Sequence, residues 1–281
     1  MKRVLITGAN SYIGTSFEKF IKENYPNDYV VDTIDMIDGS WREKSFSGYD
    51  SVFHVAGIAH QKETKKNVHL YYEVNRDLAI ETARKAKQDG VKQFIFLSSM
   101  SIYGMETGVI TKETRPNPKS HYGKSKWQAE QEIVSLASDN YKVCILRPPM
   151  VYGKGCKGNY QTVVKIVKKS PIFPNIKNER SMIYINNLSS FVKMSISNGL
   201  GGIYFPQNRD YVSTLTMAHI IAIALNKRII LDPITGCGMR LLRLCMPIAQ
   251  KAFGSLRYHN TEDFDFSYIT EETLESLRKS V

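Results

Sequence analysis

The 281-residue sequence predicts an α/β fold, a doubly wound parallel sheet followed by a smaller C-terminal lobe. Two observations carry this expectation. Short, almost wholly apolar runs alternate with longer amphipathic stretches, and the first apolar run ends in TGANSYIG, Thr7 to Gly14, a glycine-containing turn that leads into a helical pattern. Strands without a polar face need cover on both sides, which right-handed βαβ crossovers supply.

Taken in order, RVLITG reads as a buried strand and Ser16 to Glu23 as a helix with Phe17, Phe20 and Ile21 on one face. YVVDTID, SVFHVAG and KQFIFLSS read as the second, third and fourth strands, with a helical stretch from Tyr71 to Gln88 before the fourth. YKVCILRPP is the fifth strand, preceded by a helix from about Tyr122 to Ala137. Beyond Pro149 the texture changes: VYGKGCKGNY is loop-like, Gln161 to Lys169 is helical, and SMIYINN and GGIYFPQN are expected as strands returning to the sheet. From about Gln207 the pattern holds two helical stretches and an acidic patch, TEDFDF, read as the smaller lobe. Arg240, Arg243 and Lys251 among apolar residues suggest a packed amphipathic helix rather than a membrane-surface one, because Pro247 and Gly254 interrupt it.

Composition is that of a globular protein, 42% hydrophobic and 23% charged. A net charge of +11 favours acidic ligands or partners. The basic residues are dispersed, and the densest runs, Lys62 to Lys66 and Lys165 to Lys169, read as solvated faces, so nucleic acid is not the expected partner. Cys144, Cys156, Cys237 and Cys245 lack zinc spacing and read as reduced thiols. His54, His60, His69, His121, His219 and His259 form no H-E-x-x-H, so no metal site is expected. MKRVLITGAN opens directly on a strand with no signal-type or anchor-type apolar stretch; a cytoplasmic protein without membrane insertion is the expectation.

The turn after the first strand can bring backbone N–H groups and a helix N-terminus to a pyrophosphate. In the familiar G-x-x-G-x-x-G frame this chain reads Gly8, Ser11, Gly14, with a serine small enough for the position and able to donate to phosphate. Asp35, at the end of the second strand, can accept both hydroxyls of an adenosine ribose, which favours NAD over NADP; Asp32 and Asp38 are nearby competitors. In HYGKSK, Tyr122 and Lys126 are four residues apart and share a helix face. A phenol titrates near pH 10, so a role as base at neutral pH needs its pKa lowered by roughly three units, or about 4 kcal/mol. A nearby ammonium and an oxidised nicotinamide would act in that direction. Ser98 and Ser99 end the fourth strand, where ligands bind in open α/β sheets.

TGANSYIG, HVAG, SSMSIYG, YGKSK and RPPMVYG occur in the order and spacing of the extended short-chain dehydrogenase/reductases, the family of NAD-dependent nucleotide-sugar epimerases, dehydratases and ketoreductases. The chain resembles that family well over about residues 1 to 190. The resemblance implies a Rossmann-type domain spanning 1–155 and about 181–206, and a substrate-binding lobe spanning about 156–180 and 207–281. It implies Tyr122 as general acid/base, Lys126 as the residue that lowers its pKa and holds the nicotinamide ribose, and Ser99 as the group that orients substrate. Gly8, Asn10, Ser11, Tyr12, Ile13, Gly14, Asp35, Ala56, Gly57, Asn75, Ser98 and Pro149 would border the cofactor, NAD or alternatively NADP, with Pro148 beside the nicotinamide. Arg180 resembles the arginine that grips a nucleotide diphosphate, and Asn159 would line the sugar or phosphate pocket.

Where sugar 4,6-dehydratases of this family carry Asp-Glu after the catalytic Ser/Thr, this chain has Met100 and Ser101, which argues against water elimination. The expected function is oxidoreduction at C4 of a nucleotide-diphosphate sugar, as a 4-epimerase or a 4-ketoreductase, with the short C-terminal lobe tilting toward the reductase. The rival reading is a non-catalytic NAD(P) sensor. Relatives pair the helices corresponding to Tyr71–Gln88 and Tyr122–Ala137, so a homodimer is expected.

Overall fold

A computed structural model describes residues 1–59, 61–176, 178–232, 254–260 and 265–281. His60, Cys237, Arg240, Arg243, Cys245, Pro247, Lys251 and most of TEDFDF lie outside the described residues. In chain order the elements are β1 Lys2–Thr7, α1 Tyr12–Asn24, β2 Tyr29–Ile34, β3 Ser51–His54, α2 Val68–Tyr72, α3 Leu78–Gln88, β4 Gln93–Leu97, β5 Gly108–Ile110, α4 His121–Ser135 and β6 Lys142–Leu146. They continue with β7 Met150–Tyr152, α5 Asn159–Lys169, β8 Ile172–Pro174, β9 Met182–Tyr184, α6 Ile185–Asn198, β10 Gly202–Tyr204, α7 Thr214–Ala224, β11 Ile230–Asp232, β12 Leu256–Tyr258 and α8 Thr273–Lys279.

The chain divides into two compact units, the first comprising 1–104, 116–148 and 188–206. Its centre is a six-stranded sheet in the order β10-β6-β4-β3-β1-β2, parallel throughout. That is the doubly wound α/β sheet expected from the apolar runs. β3 and β4 are buried at every position, as strands covered on both faces must be. On one face Ala79, Ala83 and Ala86 of α3 and Ala129 and Ile133 of α4 join Val52, Phe94, Phe96 and Ile145 in one apolar cluster. The small side chains let both helices lie close on the strands. α1 covers the opposite face, with Phe17 edge-on to Phe53 at 5.4 Å.

The second unit comprises 105–115, 149–187 and 207–281. Among its described residues are three two-stranded parallel sheets, β5 with β12, β7 with β9 and β8 with β11. Buried tyrosines hold it together: the Tyr152 hydroxyl pairs with Ser276 Oγ at 2.5 Å and accepts from Asn208 Nδ2 at 2.8 Å.

Two expectations need correction. GGIYFPQN does return to the main sheet, as β10 beside β6, but SMIYINN does not. Its strand is three residues long, because helix α6 begins at Ile185, and its ladder partner is β7. Segments 105–115, 149–155 and 181–187, assigned above to the first domain, therefore pack in the second unit through pairings that no local pattern announces. Helix limits also shift: α1 begins at Tyr12 rather than Ser16, and α5 at Asn159 rather than Gln161.

Candidate active site

The turn between β1 and α1 shows why a serine can replace the middle glycine. Gly8 at φ 104° and Asn10 at φ 64° are left-handed, whereas Ser11 is extended at φ −70° and needs no glycine. Ser11 caps α1, its Oγ accepting the Gly14 N–H at 3.1 Å, so its side chain serves the helix. A Cβ on Gly8 would stand 2.7 Å from the Ala56 nitrogen, and one on Gly14 would stand 3.1 Å from both Ile6 Cγ2 and Val55 Cγ2. Both glycines are thus required for close approach of the loop, helix and strand, the arrangement a pyrophosphate cradle uses. Tyr12 and Ile13 are the first two residues of α1, placed at this helix N-terminus.

Asp35 lies just past β2, exposed, with Oδ1 accepting the Ile37 N–H at 2.9 Å. Its competitors are engaged elsewhere. Asp32 accepts the Tyr49 hydroxyl at 2.8 Å and faces Arg3, and Asp38 binds the Ser40 hydroxyl and N–H, which hold its carboxyl below the usual range.

At the carboxyl ends of β3 and β4 the chemistry-bearing side chains converge. Lys126 is buried and donates from Nζ to the Leu97 carbonyl at 2.8 Å, with Phe96 beneath the ammonium. Burial draws its pKa down to about 8, against the pull of the Glu130 carboxylate one turn along α4. Tyr122 stands one turn before it on the same helix and is hydrogen-bonded by Ser99. Burial raises the Tyr122 pKa, the Ser99 bond lowers it, and the Tyr71 hydroxyl raises it again. Lysine-driven lowering of the phenol is therefore not a property of the protein alone. Ser99 also caps the short turn Met100–Tyr103, accepting the Ser101 N–H at 3.1 Å.

Gly57 closes this corner. A Cβ there would come 2.9 Å from Asn75 Oδ1 and 3.5 Å from Lys126 Nζ. Asn75 is fully buried within a π turn, Glu73–Asp77, that interrupts the helical run between α2 and α3. Its Oδ1 accepts the Ile58 N–H at 2.8 Å and its Nδ2 donates to the Ile58 carbonyl at 3.0 Å, fixing the loop after Gly57. π turns of this kind re-aim one side chain out of helical register. Pro148 accepts the Met100 N–H at 3.0 Å, and Pro149 follows it, buried.

Sequence reading missed two supports. The first is under Ser98, which donates to Glu130, and Arg147 grips that carboxylate from Nη2 at 2.6 Å and Nε at 3.0 Å. Arg147 also donates to the Tyr103 hydroxyl at 2.8 Å. This buried network joins the serine strand end, the tyrosine of SSMSIYG and helix α4. The second is Glu63, whose two carboxylate oxygens accept the N–H groups of His121 and Tyr122 at 3.1 and 3.0 Å. The spacing Lys126–Glu130 was a visible signal for the first; nothing local signalled the second.

Asn159 and Arg180 lie in the second unit. Asn159 is exposed at the start of α5. Arg180 donates from Nη1 to the Gly254 carbonyl at 3.0 Å, and burial lowers its pKa against the opposing charge of Glu106. Among the described residues no group of three or more His, Cys, Asp or Glu could hold a metal ion, and no helix is long and apolar enough to cross a membrane.

A parallel doubly wound sheet with a glycine cradle after β1 and a Ser-Tyr-Lys corner at its strand ends defines an NAD(P)-binding oxidoreductase-type fold. The chain belongs to the NAD dependent epimerase/dehydratase family, whose model matches residues 4–204. It is 31% identical to a UDP-glucose 4-epimerase of Vibrio cholerae over 253 residues, 80% of this chain and 76% of that protein. It is 28% identical to an N-acetyl-α-D-glucosaminyl-diphospho-ditrans,octacis-undecaprenol 4-epimerase of Escherichia coli over 247 residues, 80% of this chain and 73% of that one. Among solved structures, UDP-glucuronic acid 4-epimerase of Bacillus cereus in complex with NAD matches with a TM-score of 0.75 at 18% identity, over 99% of this chain and 95% of that one.

Proposed function

We propose that this protein is an NAD-dependent 4-epimerase of a diphosphate-linked sugar, with a nucleotide diphosphate as the carrier. The observation that carries the reading is the Ser99–Tyr122–Lys126 corner at the ends of β3 and β4. The 4-epimerases among the similar proteins favour epimerase over the ketoreductase to which the short C-terminal lobe tilted.

The glycine cradle at Gly8 and Gly14 fits a pyrophosphate, and Asp35 is the proposed ribose ligand. Ala56, Gly57 and Pro149 are the proposed walls of the cofactor site. Bound NAD would supply the hydride acceptor and a positive ring charge. As the phenolate that this ring charge and Lys126 would favour, Tyr122 takes the C4 hydroxyl proton, and returns it on reduction. Ser99, already bonded to that oxygen, orients the sugar hydroxyl. Lys126, fixed on Leu97 O, keeps an ammonium behind Tyr122 at neutral pH, since its pKa is about 8. Within the second unit, Arg180 and Asn159 are the proposed contacts to diphosphate and sugar.

The proposal includes a cytoplasmic setting and a homodimer formed through the α3 and α4 faces; a monomer in sedimentation at micromolar concentration would remove the latter. The functional test is incubation of the purified protein with UDP-glucose and UDP-N-acetylglucosamine, following the C4 epimer by chromatography. Conversion without added NAD supports an epimerase that retains its cofactor. Turnover only of a 4-keto sugar with added NAD(P)H would make it a reductase, and dinucleotide binding without turnover would make it a sensor.

A further inference from the structure

Ser101 has no part in the chemistry assigned above, yet its hydroxyl stands inside the hydrogen-bond chain of the corner. Ser99 Oγ donates to Ser101 Oγ at 3.1 Å and accepts the Ser101 N–H, also at 3.1 Å. The same Ser99 hydroxyl is bonded to the Tyr122 phenol, and that bond lowers the phenol's pKa, as donation toward a phenolate does. A serine hydroxyl has one hydrogen and two lone pairs. The Ser101 N–H takes one lone pair, so one hydrogen and one lone pair remain for two oxygens, Tyr122 Oη and Ser101 Oγ. The hydrogen goes to one of them at a time.

The turn that carries Ser101 is fixed against helix α4. Gly123, next to Tyr122, lies so close that a Cβ there would stand 2.6 Å from the Ser101 carbonyl oxygen. The Gly104 N–H returns to the same carbonyl at 3.2 Å. Ser101 is exposed, so its own hydrogen meets water whichever way Ser99 points, and neither arrangement strands a buried donor.

We propose that Ser101 is a positioning residue for the proton transfer, the resting acceptor of a Ser99 hydrogen that swings between Ser101 and Tyr122 as the phenol gains and loses its proton. The inference rests on the reading of Tyr122 as the acid/base. With the hydrogen on Ser101, the Ser99 oxygen accepts from Tyr122 and supports the phenol, the form that returns a proton to C4. With it on Tyr122, Ser99 supports the phenolate, the form that takes the C4 hydroxyl proton. No O–H bond of either serine breaks; only the Ser99 hydroxyl turns. Removing the Ser101 oxygen therefore tips Ser99 toward Tyr122. The other titratable groups at Tyr122 are Lys126 on its own helix, Tyr71 of α2, and Glu63, which holds the Tyr122 N–H. Tyr103, on the same turn as Ser101, is engaged by Arg147. A change at residue 101 leaves all four in place.

The test compares Ser101→Ala with Ser101→Thr in the full chain, saturated with NAD and without substrate. Alanine keeps the N–H that Ser99 accepts, and threonine keeps the hydroxyl as well. Ionisation of Tyr122 is read by NMR of protein labelled at the tyrosine ζ carbon, its signal assigned by loss in Tyr122→Phe. The expected result is ionisation about 0.5–1 pH unit lower in Ser101→Ala, the worth of one neutral hydrogen bond, and wild-type ionisation in Ser101→Thr. On a 4-epimerisable sugar diphosphate, the acid limb of kcat/KM should move down by the same amount. An unmoved titration, a shift to higher pH, or the same shift in both variants would overturn the proposal. So would a fall in Tm of more than about 5 °C in Ser101→Ala, which would make the hydroxyl a prop of the turn. A downward shift in a protein that turns over no sugar would keep the hydroxyl switch and remove the epimerase reading.

Discussion

His54 ends β3 with its Nδ1 against the Thr7 hydroxyl at 2.8 Å, its ring between Phe94 and Phe96, and no hydrogen-bond partner at Nε2 among the described residues. Burial first, and then the charge of Lys126, push its pKa down to about 3 from an ordinary 6.5. A histidine depressed in this way binds fewer protons folded than unfolded. Its contribution is intact above pH 6.5 and is lost as pH falls toward 3, at up to about 1.4 kcal/mol per pH unit. His54→Phe should flatten the acid limb of a stability-against-pH curve measured by urea unfolding; an unchanged limb would show that His54 is not its source. Lys126 acts in the alkaline range. Its ammonium is lost above about pH 8, so kcat/KM should fall there. Glu130→Gln removes the carboxylate that holds the proton on Lys126, and should move that fall to lower pH. If Glu130 only props the fold, activity would drop by the same factor at every pH.

At the scale of elements, α4, which carries the proposed acid/base Tyr122, is held at its first turn by two devices. Ser120 caps α4, accepting the Gly123 N–H at 3.1 Å, and Glu63 takes the N–H groups of His121 and Tyr122. A carboxylate at a helix N-terminus also opposes the helix dipole favourably. Glu63→Ala should lower stability by about 1 kcal/mol. Because Tyr122 is directly attached, it should also lower kcat by about tenfold. Glu63→Gln, which keeps one acceptor, should recover much of both. A Glu63→Ala protein with wild-type kcat would mean the clamp does not position Tyr122. The Ser120 and Ser11 caps were not read from the sequence, although each leaves a local signal, a serine just before a helical pattern. Glu63 was not, since it lies 58 and 59 residues from the groups it binds. Ser98 and Ser99 read alike at one strand end, and only the third dimension shows Glu130 and Arg147 beneath the first of the two.

For the molecule as a whole, the parallel sheet followed from local patterns because each apolar run and each amphipathic run is itself a unit of the βαβ topology, whereas the strand order β10-β6-β4-β3-β1-β2 is visible only in the structure. The second unit was hardly legible. Its strands are three residues each, too short to show a period, and their partners are remote: Gly108–Ile110 pairs with Leu256–Tyr258, and Met150–Tyr152 with Met182–Tyr184. The site divides in the same way. Tyr122, Lys126 and Ser99 could be found from spacing, because one helix and one strand end bring them together. Of the network that holds them, only Glu130 was signalled by spacing; Arg147 just after β6, Glu63 in the loop before α2 and Asn75 in a π turn were not. The central claim is that Tyr122 transfers the proton at this corner. The most direct measurement is turnover of Tyr122→Phe on a 4-epimerisable sugar diphosphate, with NAD affinity measured in parallel. The account predicts a loss in kcat of about 10²–10⁴-fold with cofactor affinity essentially retained; turnover at the wild-type rate would contradict it.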